Sequence, residues 1–399
     1  MGKQADCIEV KLSFPPDSSS AIRLLHEIIR QKPVYSPRLV EKPLILYGAG
    51  NMGKMAREYF NRIGIPILFV VDANSDAYKD DLFWKNLDII KPDDVSAEHK
   101  SNALLAVCVA TAPYVSIYDY LHQCGWSDFV PFYDITEAYR DIHPLSNGWF
   151  SGELNPEDVS GIESVLSTLA DDISRAHHLQ FVAWRYLRHE WTFNGAPVTL
   201  NDRYFIPQVS SVLNCIESFL DVGAYHGNSL IKFMDMVGNK YKAIWAIEPD
   251  GNNFSVLSRN FAQLPSRYGA DAQLLKLAVA STEREGAFFE GLGYASQLSA
   301  IGGRKISVRT IDALNIEPSY IKLHLEGAEL DALKGAQDTI RRNRPIIAAT
   351  TYHNPLGLWK LPLWLMQTTQ GYRFYMRLHS WCGTGAVIYC VPEERNDEK

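Results

Sequence analysis

The chain contains no uncharged apolar run near the roughly 18 residues a membrane span requires, so no bilayer crossing is expected. Cysteine is scarce. Cys7, Cys108, Cys124, Cys215, Cys382 and Cys390 are the only six, and none form a C-x-x-C pair. A disulfide framework or thiolate zinc site is therefore a poor reading, and reduced thiols in a cytoplasmic protein are expected. Positive charge is in deficit: the net charge is −7 with no basic run, which argues against nucleic acid or an anionic membrane as partner. Met1 to Val10 is charged and lacks an apolar core, so no signal peptide is expected. Of the eleven histidines only His177 and His178 are adjacent, and helix neighbours point apart, so no metal site is expected.

What the chain does have is length and strand-turn-helix punctuation. Its 399 residues allow two or three domains. The organising stretch is Phe219-Leu220-Asp221-Val222-Gly223-Ala224-Tyr225-His226-Gly227-Asn228-Ser229, an apolar strand turning at small residues into a helix. A second strand, Ala243 to Ile247, ends in Glu248-Pro249, about 20 residues beyond Gly227. That acid is placed to accept hydrogen bonds from ribose hydroxyls, of a dinucleotide or of S-adenosylmethionine. The turn favours S-adenosylmethionine, because the third glycine of G-x-G-x-x-G is missing. Candidate cofactor residues are Asp221, Gly223, Ala224, Tyr225, Gly227, Asn228, Glu248 and Pro249, with adenine against Leu277-Ala278-Val279. His226 is expected to shape the loop.

Residues 1–42 read as an arm, with Ser18-Ser19-Ser20 capping a helix from Ala21 to Gln31. Residues 43–142 read as a Rossmann-like domain. Leu44 to Tyr47 is its first strand, and Gly48-Ala49-Gly50-Asn51-Met52-Gly53 supplies a full G-x-G-x-x-G. Asp72 stands at the ribose-acid position, which makes Gly48, Gly50, Gly53 and Asp72 a candidate site for a nucleotide or NAD. Hydride transfer also needs a place for nicotinamide and substrate, and nothing between Asp134 and Phe219 supplies one. A nucleotide-type or vestigial site is therefore favoured over a working dehydrogenase. Residues 143–205 are a helical connector, 206–392 a second α/β domain, and 393–399 a charged tail.

In that second domain Leu274 to Val279 is expected as a third strand and Tyr320 to Leu325 as a fourth. Pro345 to Thr351 follows, and Tyr372 to Met376 and Ala386 to Val391 close the sheet. Phe219 to Ala224, Glu248-Pro249, and above all Ile321-Lys322-Leu323-His324-Leu325-Glu326-Gly327-Ala328-Glu329-Leu330-Asp331-Ala332-Leu333-Lys334-Gly335-Ala336 resemble the FkbM-type S-adenosylmethionine-dependent methyltransferases. Those typically read K-x-D-x-E-G-x-E-x-x-x-L-x-G. The resemblance covers about 160–392 and implies an O-methyltransferase acting on a hydroxyl of a sugar, glycan or other natural product. The implied architecture is two Rossmann-like doubly wound α/β sheets, the C-terminal one mixed and seven-stranded, joined by a helical segment. One position departs from the pattern: His324 stands where the family has Asp.

Residues two apart on a strand share a face, so Lys322, His324 and Glu326 are expected to point together at a carboxyl strand end, where such folds bind ligands. A structural alternative has Glu326 capping the next helix and pairing with Lys322. A hydroxyl acceptor must lose a proton, and His324, Glu326 and His353 are the catalytic candidates, with an acid limb near pH 6–7 for His324. Two other readings stay open: a nicotinamide-dependent oxidoreductase or bifunctional enzyme using the first glycine loop, and an inactive scaffold. The sequence also leaves open a homo-oligomer.

Overall fold

The computed structural model describes residues 7–145, 147–264 and 272–396. The first six residues of the expected arm and the last three of the charged tail lie outside them. Among the described residues no helix is long and apolar enough to cross a membrane.

Two parallel-stranded cores organise the chain. The first sheet runs Ile89–Ile90, Ile67–Val71, Leu44–Tyr47, Leu104–Val107, Phe129–Pro131, every pair parallel. Its central strands are continuous apolar runs, as strands covered on both faces must be. The last strand stops at Pro131, and Phe132–Ala138 is a helix.

The second sheet has seven strands in the order Ala272–Leu275, Ala243–Ile247, Ser218–Val222, Tyr320–Leu323, Ile346–Thr350, Ala386–Pro392, Tyr372–Leu378. Only the pairings made by Ala386–Pro392 are antiparallel, which gives the mixed doubly wound sheet that the sequence implies. The chain builds outward from Ser218–Val222 on one side and returns to Tyr320–Leu323 on the other. The gap between the carboxyl ends of those two strands is the switch point where such sheets hold ligands.

Two expectations are corrected. Leu274 to Val279 is not one strand: Ala272–Leu275 edges the seven-stranded sheet, while Ala278–Val279 joins a separate four-stranded sheet with Arg304–Arg309, Arg284–Phe289 and Gln297–Leu298. The sequence also reads residues 1–42 as an arm and 143–205 as a connector, yet their described parts pack as one layer. Glu9–Leu12 pairs in parallel with Glu190–Phe193. The helix Ser18–Ile29, capped by the Asp17 side chain on Ser20 N (2.7 Å), buries Ala21, Leu25 and Ile28 in one core with Phe181, Val182 and Met376. An amphipathic helix needs a partner for its apolar stripe, and the helix Asp172–Leu187 provides it. The halves are tied by the buried Arg188–Asp134 ion pair (3.0 Å), by Trp381 N donating to Ala110 O (2.8 Å), and by Arg62 Nη2 donating to Gly291 O (2.5 Å).

Candidate active site

The strand Ser218–Val222 is buried throughout and ends at Gly223, whose φ of +79° suits glycine. A Cβ there would collide with the carbonyl oxygen of His324, so the loop and the next strand's end lie backbone to backbone. Gly223 N and Ala224 N both donate to Ile247 O (3.0 and 2.9 Å). Tyr225 N and Asp250 N donate to the two oxygens of Glu248 (2.8 and 3.0 Å). Burial pushes the Glu248 carboxyl up to about 7, and those two backbone donors only partly oppose it. The helix Asn228–Met236 begins with no side-chain cap, so its first N–H groups can serve a ligand.

The expected cofactor residues divide. Gly223, Ala224, Tyr225, Asn228, Glu248, Pro249 and Ala278 line a cavity of about 940 Å³. Asp221 does not: it is fully buried, holds Lys322 Nζ at 2.8 Å and accepts from the Ser229 hydroxyl. Gly227 lies behind the loop, where a Cβ would press on Leu257. Both support the loop from beneath.

The second strand end carries the ionisable cluster. The strand stops at Leu323, one residue before His324, and the chain turns through Glu326 (φ +51°) and Gly327 (φ +106°). His324 and Glu326 do meet, with Nε2 3.1 Å from Oε1. The turn at Glu326 brings that pair together; Lys322 lines the same cavity as His324, but its ammonium is taken up by Asp221 and Gly223 O (2.7 Å). Glu326 caps no helix. The next helix, Glu329–Lys334, begins without a side-chain cap, and Glu329 fixes the turn before it, accepting from Leu325 N (2.9 Å), Gly327 N (3.0 Å) and the Thr350 hydroxyl (2.7 Å). His353 Nδ1 lies 2.7 Å from Glu329 Oε1 and its Nε2 3.3 Å from Glu326 Oε1. Tyr204 Oη lies 2.6 Å from His324 Nδ1.

Burial lowers the His324 pKa to about 4, outweighing its hydrogen bond to Glu326, so the acid limb expected near pH 6–7 moves down. Burial alone would raise Glu326, but the charge of His353 and bonds from both histidines hold it near 2. Burial alone would lower His353, and the carboxylates of Glu326 and Glu329 raise it well above the ordinary value.

The Gly223 loop and His324 open into one cavity, and its far wall comes from the first sheet. Asn51 and Met52, which follow Leu44–Tyr47, and Thr111, which follows Leu104–Val107, line it with Tyr133 and Asn147. The buried Asn147 Oδ1 has no hydrogen-bond partner among the described residues. Gly48, Gly50, Gly53 and Asp72 are not among the lining residues. Asp72 is turned into its own loop, accepting from Ala49 N and Asn74 N (both 2.8 Å), and the Trp84 indole donates to Ala49 O (3.2 Å). This arrangement gives no support to a nucleotide at that loop, whose glycines serve the turn: a Cβ on Gly53 would collide with Gly48 O.

Residues 221–374 match the family model described as the methyltransferase FkbM domain. This stretch is an FkbM methyltransferase domain. It begins at Asp221 and takes in the cofactor loop, Glu248, the four-stranded sheet and the whole His324–Glu326–His353 cluster. The methyltransferase FkbM from Methylobacillus flagellatus has the same fold, with TM-score 0.58 at 19% identity, over 94% of this chain and 98% of that one. A precorrin-6y C5,15-methyltransferase from Geobacter metallireducens superposes only weakly (TM-score 0.28, 15% identity, 49% of this chain, 96% of that one). The same holds for an SAH-bound methyltransferase from Podospora anserina (0.29, 13%, 64% and 93%). No curated protein matches the chain.

Several residues facing the FkbM domain's cavity escape sequence reasoning. Arg203 and Tyr204 reach it from before the matched segment, Tyr294 from the short 3-10 helix Gly293–Ala295, Gln297 from the four-stranded sheet, and Asn147 from the first half. Only Tyr352 carried a signal, being next to His353 and 3.3 Å from His324 Nε2 through its hydroxyl.

Proposed function

We propose that the protein transfers a methyl group from S-adenosylmethionine to a hydroxyl of a sugar, glycan or other natural product held in the cavity. The observation that carries this reading is the cavity itself, which joins Glu248 and the Gly223 turn at one end to His324 at the other. When bound, S-adenosylmethionine supplies the methyl group; its S–C bond breaks as the O–C bond forms. Glu248 would accept from both ribose hydroxyls, the start of the helix Asn228–Met236 would meet the methionyl carboxylate, and Ala278 and Val279 would lie against adenine. Most of the acceleration would come from holding the acceptor oxygen in line. The hydroxyl would lose its proton on the side of the cavity where His324 stands. Tyr133, Thr111 and Asn147, with its unpartnered Oδ1, suit an acceptor that offers several hydroxyls. Six unbridged cysteines support a reducing compartment such as the cytoplasm.

The test is formation of S-adenosylhomocysteine with a panel of hydroxylated sugars and glycosides. Turnover with none, alongside tight cofactor binding, would favour the inactive scaffold. NADH oxidation by the full chain would instead restore the oxidoreductase reading.

Two further outcomes are expected. Glu248 binds ribose as a carboxylate, so S-adenosylhomocysteine affinity should hold at pH 8 and weaken as pH falls through about 7, approaching tenfold per unit below it. A flat profile from pH 8 to 5.5 would mean that Glu248 is not the ribose acceptor. His324→Ala should slow turnover by about 100-fold or more and leave cofactor affinity nearly unchanged, with His324→Asp less impaired. Normal turnover per folded molecule would remove His324 from the chemistry.

A further inference from the structure

We propose that His324, Glu326 and His353 bind a divalent transition-metal ion of the zinc, cobalt or ferrous class at the floor of the cavity. One ligand atom from each lies within 4.8 Å of the others. Both His324 Nε2 (3.1 Å) and His353 Nε2 (3.3 Å) approach the same Glu326 oxygen. Ligands each roughly 2.0–2.1 Å from one ion stand about 3.0–3.4 Å apart, which both histidine–carboxylate separations already match. Two imidazoles and one carboxylate select borderline ions over magnesium or calcium, which prefer all-oxygen sets.

The surroundings are those of a metal site. Metal-binding histidines are held by their other nitrogen, and here Glu329 holds His353 Nδ1 while Tyr204 holds His324 Nδ1. Glu329 is itself fixed by two backbone N–H groups and the Thr350 hydroxyl. Glu326 has a positive φ, a conformation that costs a non-glycine residue energy and that turns its carboxylate toward both histidines. Glu326 and His353 are buried, while His324 lines the cavity, so the open coordination position would face the acceptor.

The catalytic consequence rests on the hydroxyl-acceptor reading; the binding does not. The acceptor hydroxyl would take the open position, its proton would pass to cavity water, and the oxygen's electron pair would form the O–C bond as the S–C bond breaks. The ion keeps its oxidation state.

The full-length protein, stripped with chelator, is titrated with cobalt(II) and followed by visible absorption and calorimetry. The expected result is one saturable ion per chain with intense ligand-field bands that zinc(II) abolishes. His324→Ala and His353→Ala should each weaken binding at least as much as loss of an outer partner, about 10–100-fold. S-adenosylhomocysteine binding by the same variants shows that they are folded. No saturable one-to-one cobalt or zinc binding by the wild type would overturn the proposal and mark the cluster as a proton-held ion-pair network. So would wild-type affinity in both folded alanine variants. Failure of S-adenosylhomocysteine to bind the wild type would count against the methyltransferase reading alone.

Discussion

Lys322→Met should cost about 3–5 kcal/mol of folding stability, because it strands the Asp221 carboxylate in a fully buried site. The ion pair is 2.8 Å long and both side chains are all but inaccessible. Lys322 also donates to Gly223 O, so the substitution loosens the cofactor turn as well as the sheet. The double variant Asp221→Asn/Lys322→Met should recover most of the loss, since a neutral amide is far cheaper to bury than an unpaired charge. Urea denaturation of the three proteins measures this. A single variant within about 1 kcal/mol of wild type, or a double variant no better than the single, would refute the buried-pair account.

Gly223→Ala is expected to abolish cofactor binding and to cost about 2–5 kcal/mol, from left-handed strain plus displacement of the His324 carbonyl. Gly238 is the control. It also has positive φ (+63°), but a Cβ there meets nothing within 4 Å, so Gly238→Ala should cost only about 1–2 kcal/mol and leave binding intact. Thermal denaturation and S-adenosylhomocysteine titration separate the cases. Equal effects at both sites would show that the contact between the loop and the His324 carbonyl is unimportant.

The parts of the site legible in the sequence were those encoded locally. A buried strand, a small-residue turn and an acid after the next strand fall within thirty residues or so, and their geometry follows from backbone rules alone. His324 and Glu326 were legible as neighbours, though for the wrong reason: strand alternation ends at Leu323, and the positive φ at Glu326 is not written in a non-glycine residue. Asp221 looked like a ligand residue, yet its partner Lys322 is contributed by a strand a hundred residues on. The His353–Glu326 approach and the far wall of Asn51, Thr111 and Asn147 depend on how distant segments pack, and periodicity does not carry that information. The four-stranded sheet was missed because its strands include the two-residue pairs Ala278–Val279 and Gln297–Leu298, too short to show alternation. The described part of the expected arm belongs to a core because the apolar stripe of Ser18–Ile29 has its partner in Asp172–Leu187.

On the function proposed above, the Gly223 turn and Glu248 hold S-adenosylmethionine. Calorimetric titration of wild type and Glu248→Ala with S-adenosylhomocysteine at pH 8 tests it most directly. One site per chain is expected in the wild type. Affinity should be about 5–150-fold weaker in the variant, corresponding to roughly 1–3 kcal/mol of charge-assisted hydrogen bonding to ribose. Unchanged affinity in a folded Glu248→Ala variant, or no binding by the wild type, would contradict it.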